Sequence, residues 1–254
     1  MSNSHKVAFI TGASSGIGEA CARRFARAGY HLILAARRVE RLTALTQELS
    51  VPCHVTHLDV TDPEEIADVV EKLPAAFSNV DVLINSAGLA LGLNPAPSAS
   101  LEDWRSMIDT NAHGLVHCTR AVLPKMVAQN RGHIINLGST AGTYPYPGGN
   151  VYGATKAFVH QFSLGLRADL LGTGIRVTCI EPGMVGNTEF SAVRFHGDTE
   201  KASAVYRGVH ALSPEDVSDA IDYCVNCPPH MNVNVIELMP VDQAFGPLAV
   251  NRRS

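Results

Sequence analysis

Charge is scarce in this sequence and nearly balanced in sign: 20 Lys and Arg against 24 Asp and Glu, a net charge of −4. That balance gives no electrostatic ground for expecting a nucleic-acid partner. The basic doublets Arg37-Arg38 and Arg252-Arg253 are each too short to track a phosphate backbone. No apolar run approaches the ~20 residues needed to span a bilayer, so no membrane partner is expected. The start, Met1-Ser-Asn-Ser-His-Lys6, runs straight into the strand-like Val7-Ala-Phe-Ile10 with no apolar core and cleavage site, unlike a secretory signal. The chain therefore reads as soluble and cytoplasmic. Cysteines are few and scattered, 6 in all, as befits buried thiols in a reducing compartment.

Two spacings invite a metal or redox reading and lack its other parts. Cys224 and Cys227 form a C-x-x-C, but no second pair accompanies it, and Pro228-Pro229 stops the helix on which it ends. His113 and His117 lie i,i+4 apart, but no Glu follows His113 and no third ligand is evident. Both read as non-metal residues, so no metal is expected.

What is present is a large apolar fraction, 46%, with mean hydropathy +0.07, enough for a substantial core. Short apolar, β-branched runs at Val7–Thr11, His31–Ala35, Cys53–Asp59, Val80–Asn85, Gly132–Ser139, Ile175–Glu181 and Val233–Leu238 are continuous rather than alternating. Such runs suit strands buried on both faces. Helical patterns separate them, including Ile17–Ala28, Val39–Leu49 and Pro63–Leu73, the last with Thr61 or Asp62 as N-cap and Pro63 at its first position. The alternation predicts an α/β fold over residues 1–254: one Rossmann-type domain, a doubly wound parallel sheet with helices on both faces and right-handed crossovers. Two stretches break the rhythm. Ala90–Ser100 is loop-like, and the Gly-rich, polar segment after Pro182, at about 183–210, is expected to form a substrate lid.

Thr11-Gly-Ala-Ser-Ser-Gly-Ile-Gly18 joins the first strand to the first helix. Glycines there allow a tight turn and let backbone N–H groups approach a pyrophosphate at a helix N-terminus, where the dipole favours negative charge. The spacing is G-x-x-x-G-x-G, not G-x-G-x-x-G; an ordinary strand–helix loop is the alternative. The second strand ends Leu34-Ala35-Ala36-Arg37-Arg38, where an NAD-binding fold usually places an acid on the ribose 2′-OH. Arginine there can instead clamp a 2′-phosphate, which points to NADP(H), unless the pair is simply solvated. Finally, Tyr152 and Lys156 stand one helical turn apart and share a helix face. A nearby ammonium favours the phenolate, so Lys156 is expected to lower the Tyr152 pKa and make it an acid or base near neutral pH.

Taken together, Thr11–Gly18, Asp59-Val60, Asn85-Ser-Ala-Gly88, Asn111, Ser139, Tyr152, Lys156 and Pro182-Gly183 make the chain resemble the short-chain dehydrogenase/reductase family. The match runs in family order from residue 11 to residue 183. It departs at Ser86, where the family usually has a second Asn. The resemblance implies catalytic roles for Asn111, Ser139, Tyr152 and Lys156. Tyr152 would shuttle the hydroxyl proton, and Lys156 would hydrogen-bond the nicotinamide ribose. Ser139 would donate to the substrate oxygen, and Asn111 would support a water-mediated relay. It implies cofactor contacts at Gly12, Ser14, Ser15, Gly16, Ile17, Gly18, Arg37, Arg38, Asp59, Val60, Asn85, Ala87, Gly88, Pro182, Gly183 and Val185, besides Tyr152 and Lys156.

Stretches Gly149–Phe158, Gly183–Asp198, Ser213–Ser218 and Asn232–Pro240 are similar to the NADP-dependent 3-hydroxy acid dehydrogenase branch, which includes serine and allo-threonine dehydrogenases. That branch implies hydride transfer between NADP(H) and C3 of a small 3-hydroxy acid, by a homotetramer. The rival readings are a 3-oxoacyl-carrier-protein reductase and a non-enzymatic nucleotide sensor on the same fold. Substrate contacts are expected at Ser139 and Tyr152. Arg194 in the lid is a further candidate, as a bidentate anchor for the carboxylate. Its alternative role is an ion pair with Asp198 or Glu200 or a contact to cofactor phosphate.

Overall fold

The computed structural model describes residues 5–246; the doublet Arg252-Arg253 and the first four residues lie outside this range. In chain order the elements are β1 (Val7–Thr11), α1 (Gly16–Arg27), β2 (His31–Ala36), α2 (Val39–Thr46), β3 (Cys53–His57), α3 (Pro63–Glu71) and β4 (Val82–Asn85). They continue as α4 (Leu101–Ile108), α5 (Leu115–Gln129), β5 (Gly132–Leu137), α6 (Asn150–Asp169) and β6 (Ile175–Pro182). Last come α7 (Phe190–Arg194), α8 (Thr199–Ala204), α9 (Pro214–Asn226) and β7 (Val235–Leu238).

The seven strands form one parallel sheet in the order β3-β2-β1-β4-β5-β6-β7. Successive residues of each strand serve opposite faces. Ala8 and Ile10 of β1 join Leu32 and Leu34 of β2 in a core under α1, α2 and α9. Val7 and Phe9 join Ile33, Leu83 and Ile134 in a second core under α3, α5 and α6. Each fully buried side chain of this size contributes roughly 1.5–3 kcal/mol of transfer free energy, and this two-sided burial is why the strands read as unbroken apolar runs.

Between β1 and β4 the chain order reverses direction across the sheet. This is the switch point where an open α/β sheet leaves a crevice beyond its strand ends. Register aligns Thr11 with Ala35 on one side and Asn85 on the other, and Asn85 with Asn136 beyond. Four strand ends therefore open onto one crevice.

Local chemistry set several boundaries. Asp62, not Thr61, caps α3, accepting from the Glu64 and Glu65 amides at 2.9 and 3.0 Å ahead of Pro63. Strand β5 stops at Leu137, two residues short of Ser139. The Ser139 hydroxyl instead caps a short 3₁₀ turn, Thr140–Gly142, by accepting from the Ala141 amide at 3.1 Å. Segment 109–114 is a π-helical turn rather than a regular helix, so His113 and His117 sit 6.3 Å apart as stacked rings, with His113 bonded to Asp109 at 3.0 Å. Cys224 and Cys227 are free thiols at the end of α9, where Arg176 donates to their carbonyls at 2.9 and 3.3 Å. Among the described residues, no group of three His, Cys, Asp or Glu is arranged to hold a metal, and no helix is long and apolar enough to cross a membrane.

Candidate functional site

The crevice holds a cavity of about 800 Å³. Its floor is shaped by glycine. Gly12 has φ +66°, and a Cβ there would stand 2.9 Å from the Ala87 backbone. At Gly18 a Cβ would collide with the Gly12 carbonyl, so the turn can close only without side chains. Thr11 Oγ1 accepts from the Ser86 and Ala87 amides, both at 3.2 Å, and pins the loop after β4 against the glycine loop. These backbone bonds do not depend on the Ser86 side chain.

Of the residues assigned from sequence, Gly12, Ser14, Ser15, Gly16 and Ile17 line one end of the cavity with Arg37, Arg38, Asp59 and Val60. Ala87 and Gly88 line the middle, and Ser139, Tyr152, Lys156, Pro182, Gly183, Val185 and Arg194 line the other end. Three do not line it. Gly18 acts through the turn just described. Asn85 lies beneath the floor, 3% exposed, donating to Thr119 Oγ1 at 3.0 Å and Asn136 Oδ1 at 2.9 Å. It ties β4 to α5 and β5, because it shares with Leu83 the strand face that packs under α5. Asn111, 2% exposed in the π-helical turn, accepts from the Leu89 amide at 2.9 Å and donates to the Leu89 carbonyl at 2.8 Å. A third bond reaches Thr155 Oγ1 at 3.1 Å. Its side chain thus fixes the cavity-lining loop at Leu89 against α6. Single π turns of this kind recur at functional sites.

At the far end, α6 presents Tyr152 and Lys156 on one face, 8% and 7% exposed. The expected lowering of the tyrosine pKa is not what the structure gives. Lys156 Nζ lies 5.8 Å from the Tyr152 ring centroid and donates to the Leu137 carbonyl at 2.7 Å. Burial pushes the Tyr152 phenol well above its usual range, while hydrogen bonding with Ser139 and the charge of Arg194 pull the other way. Burial also pushes Lys156 down, to about 8. Desolvation dominates at both groups, disfavouring the charged form of each.

The segment expected to form a lid folds as α7 and α8, joined to the main fold through a bridge between Val185 and Leu212. Arg194, at the end of α7, does not pair with Asp198 or Glu200; Asp198 pairs with Lys201 at 3.0 Å and caps α8. Arg194 lies over two tyrosine rings, 5.3 Å from the centroid of Tyr146 and 5.7 Å from that of Tyr152. Its Nη2 donates to the Tyr146 hydroxyl at 2.6 Å and its Nε to the Gly92 carbonyl at 3.2 Å.

Sequence reasoning missed Tyr146, Glu189 and Arg41. Glu189 joins Arg38 and Arg41 across the cofactor end. No spacing signals these partners, which are 48 and about 150 residues apart in the chain.

Known proteins share this arrangement over almost the whole chain. Residues 6–198 match the short chain dehydrogenase family. An NADP-dependent 3-hydroxy acid dehydrogenase of Salmonella typhi is 56% identical over 246 residues, 97% of this chain and 99% of the relative. Sulfoacetaldehyde reductase 2 of Chromohalobacter salexigens is 52% identical over 249 residues, 97% and 98% of the two chains. Among solved structures, the closed form of serine dehydrogenase complexed with NADP+ superposes with a TM-score of 0.96 at 55% identity, covering 97% of this chain and 100% of that one. With its strand order, glycine turn and α6 tyrosine–lysine pair in the same frame, the chain belongs to the short-chain dehydrogenase family.

Proposed function

We propose that the protein is an NADP-dependent oxidoreductase acting at C3 of a small 3-hydroxy acid or the corresponding 3-oxo acid. The cofactor fits the cleft on this chain's own terms. The side-chain-free turn at Gly12 lets backbone approach a pyrophosphate, and Arg37 and Arg38 at the end of β2 suit the 2′-phosphate that distinguishes NADP from NAD. When bound, NADPH supplies the hydride that adds to the substrate carbonyl carbon. Tyr152 gives its phenolic proton to the carbonyl oxygen as negative charge develops there, so the carbonyl becomes an alcohol with one hydride and one proton added. Ser139, whose hydroxyl donates to the Pro182 carbonyl at 3.3 Å at the same end of the cleft, would hydrogen-bond the same oxygen. Lys156 holds the strand end through Leu137 and would supply a donor to the ribose of a bound cofactor. Asn111 fixes the adjoining loop.

The observation that supports an acid substrate is the guanidinium 5.7 Å from the Tyr152 ring. Two of its donor nitrogens are bonded to protein, and Nη1 has no partner among the described residues. A carboxylate two carbons from the reacting centre is within its reach. Carboxylates and sulfonates are both anionic, so the relatives acting on a 3-hydroxy acid and on sulfoacetaldehyde are consistent with one anion-recognising subsite. A homotetramer accompanies this reading.

The test is a panel of short 3-hydroxy acids, their methyl esters and sulfoacetaldehyde, assayed with NADP(H) and NAD(H). Arg194→Ala is expected to raise KM for the free acid by about tenfold or more, about 1.4 kcal/mol, and to leave the methyl ester nearly unchanged. Parallel losses on acid and ester would reject Arg194 as the anchor. Activity confined to carrier-protein thioesters would reject the substrate class.

A further inference from the structure

Glu189 precedes the first residue of α7 and places its two carboxylate oxygens on different arginines. Oε2 accepts from Arg38 Nη2 at 2.7 Å and Oε1 from Arg41 Nη1 at 2.8 Å. The arginines belong to the turn after β2 and the first turn of α2, 151 and 148 residues away in sequence. Arg38 Nη2 also donates to Ser15 Oγ at 3.1 Å in the glycine loop. A continuous polar connection therefore runs from the glycine loop through Arg38 to the lid, crossing the cofactor end of the cavity. The two cations, Arg38 foremost, hold the Glu189 carboxyl down at about 2. It stays ionised throughout the physiological range.

The other end of the same five-residue helix is Arg194, whose backbone carbonyl accepts from the Gly92 amide at 2.8 Å and whose Nε donates back to the Gly92 carbonyl. One short helix is thus fastened at its start to the cofactor-binding turn and at its end beside the proton donor. A displacement at the Glu189 end moves Arg194 with it, because five residues of helix leave little slack.

We propose that Glu189 is a positioning residue. By bridging Arg38 and Arg41 it straps α7 across the mouth of the cofactor cleft, which slows dinucleotide release and keeps Arg194 aligned with Tyr152. This rests on the functional reading above for what fills the cleft. The side chains involved are 39–46% exposed, so each pair alone contributes modestly. Acting together on one carboxylate, they set an expected effect of about three- to tenfold.

Release of NADPH from the purified protein, followed by stopped-flow displacement, tests the strap without any substrate. Glu189→Gln keeps the shape and removes the charge. It is expected to release NADPH about three- to tenfold faster and to raise KM for the hydroxy acid by a similar factor. The hydride-transfer rate at saturation of both ligands stays unchanged. Arg41→Ala breaks the strap from its other end, so it reproduces the faster release, and Arg41→Lys restores most of the loss. In 1 M salt, where the Debye length is about 3 Å, wild type approaches the variants. Unchanged release in both Glu189→Gln and Arg41→Ala would overturn the proposal. So would slower release, which would mean that Glu189 competes with cofactor phosphate for Arg38. A wild-type protein inert towards hydroxy acids would reject the substrate reading instead, while the release rates would still decide the strap.

Discussion

Tyr152 and Lys156 show how much a spacing reveals and what it leaves out. Their separation of four residues fixed a shared helix face, which the structure has. It carried no information about burial, and burial decides their protonation. The phenol is pushed up and the ammonium down because both lose water, and the lysine's proton turns to the Leu137 carbonyl. Asn85 gives the same lesson in another form: its place at a strand end was legible, its direction beneath the floor towards α5 was not. At the cofactor end, three arginines cluster, and Arg38 and Arg41 are engaged with Glu189. Arg37 is exposed at the rim of the cavity, near Asp59, whose carboxyl is held low, against the effect of burial, chiefly by the Thr61 amide and hydroxyl with Arg37 adding to it. Arg37→Ala is expected to weaken NADPH by about 10- to 150-fold, the value of one charge-assisted hydrogen bond, and NADH far less. Fluorescence titration with both nucleotides checks this, and equal losses would assign Arg37 to the fold.

Among elements, the strands and the first glycine turn were the most readable, since each is set by a run of residues adjacent in sequence. Strand ends shifted by a residue or two, as at Ser139, where a cap ended β5 at Leu137, while Asp62 resolved which of two candidates caps α3. The segment expected to form a lid was legible only as a break in rhythm after Pro182. Its two helices are five and six residues long, too short to be stable without tertiary support. Their placement comes from contacts made far along the chain: Glu189 with Arg38, Arg194 with Gly92 and Tyr146, His196 with Asp103. The π-helical turn escaped notice for a related reason. No local residue signals an extra backbone position there, and the bonds of Asn111 within it run to Leu89 and Thr155, 22 and 44 residues away.

For the whole molecule, the reversal of strand order between β1 and β4 puts cofactor turn, loop ends and α6 around a single cleft. The sheet beneath also carries a titrating group. His133 of β5 is 2% exposed, bonded through Nε2 to Thr178 at 2.8 Å, with no partner for Nδ1. Burial pushes its pKa down to about 3, with the charge of Arg176 adding to the effect. An unfolded imidazole takes its proton near 6.5, so between those values the unfolded chain binds more protons. Stability is therefore fully present above about pH 6.5 and falls as pH drops towards 3, by up to about 1.4 kcal/mol per pH unit from this residue. Denaturant unfolding at pH 7.5 and pH 5 should show a larger loss in wild type than in His133→Gln, whereas equal losses would remove His133 from the account. The central claim is that this cleft is a catalyst rather than a nucleotide sensor, and Tyr152→Phe tests it most directly because only the transferable proton is removed. The account predicts at least ~100-fold loss of NADP-dependent turnover with NADPH affinity and unfolding midpoint unchanged. Near-normal turnover in the purified variant would contradict it.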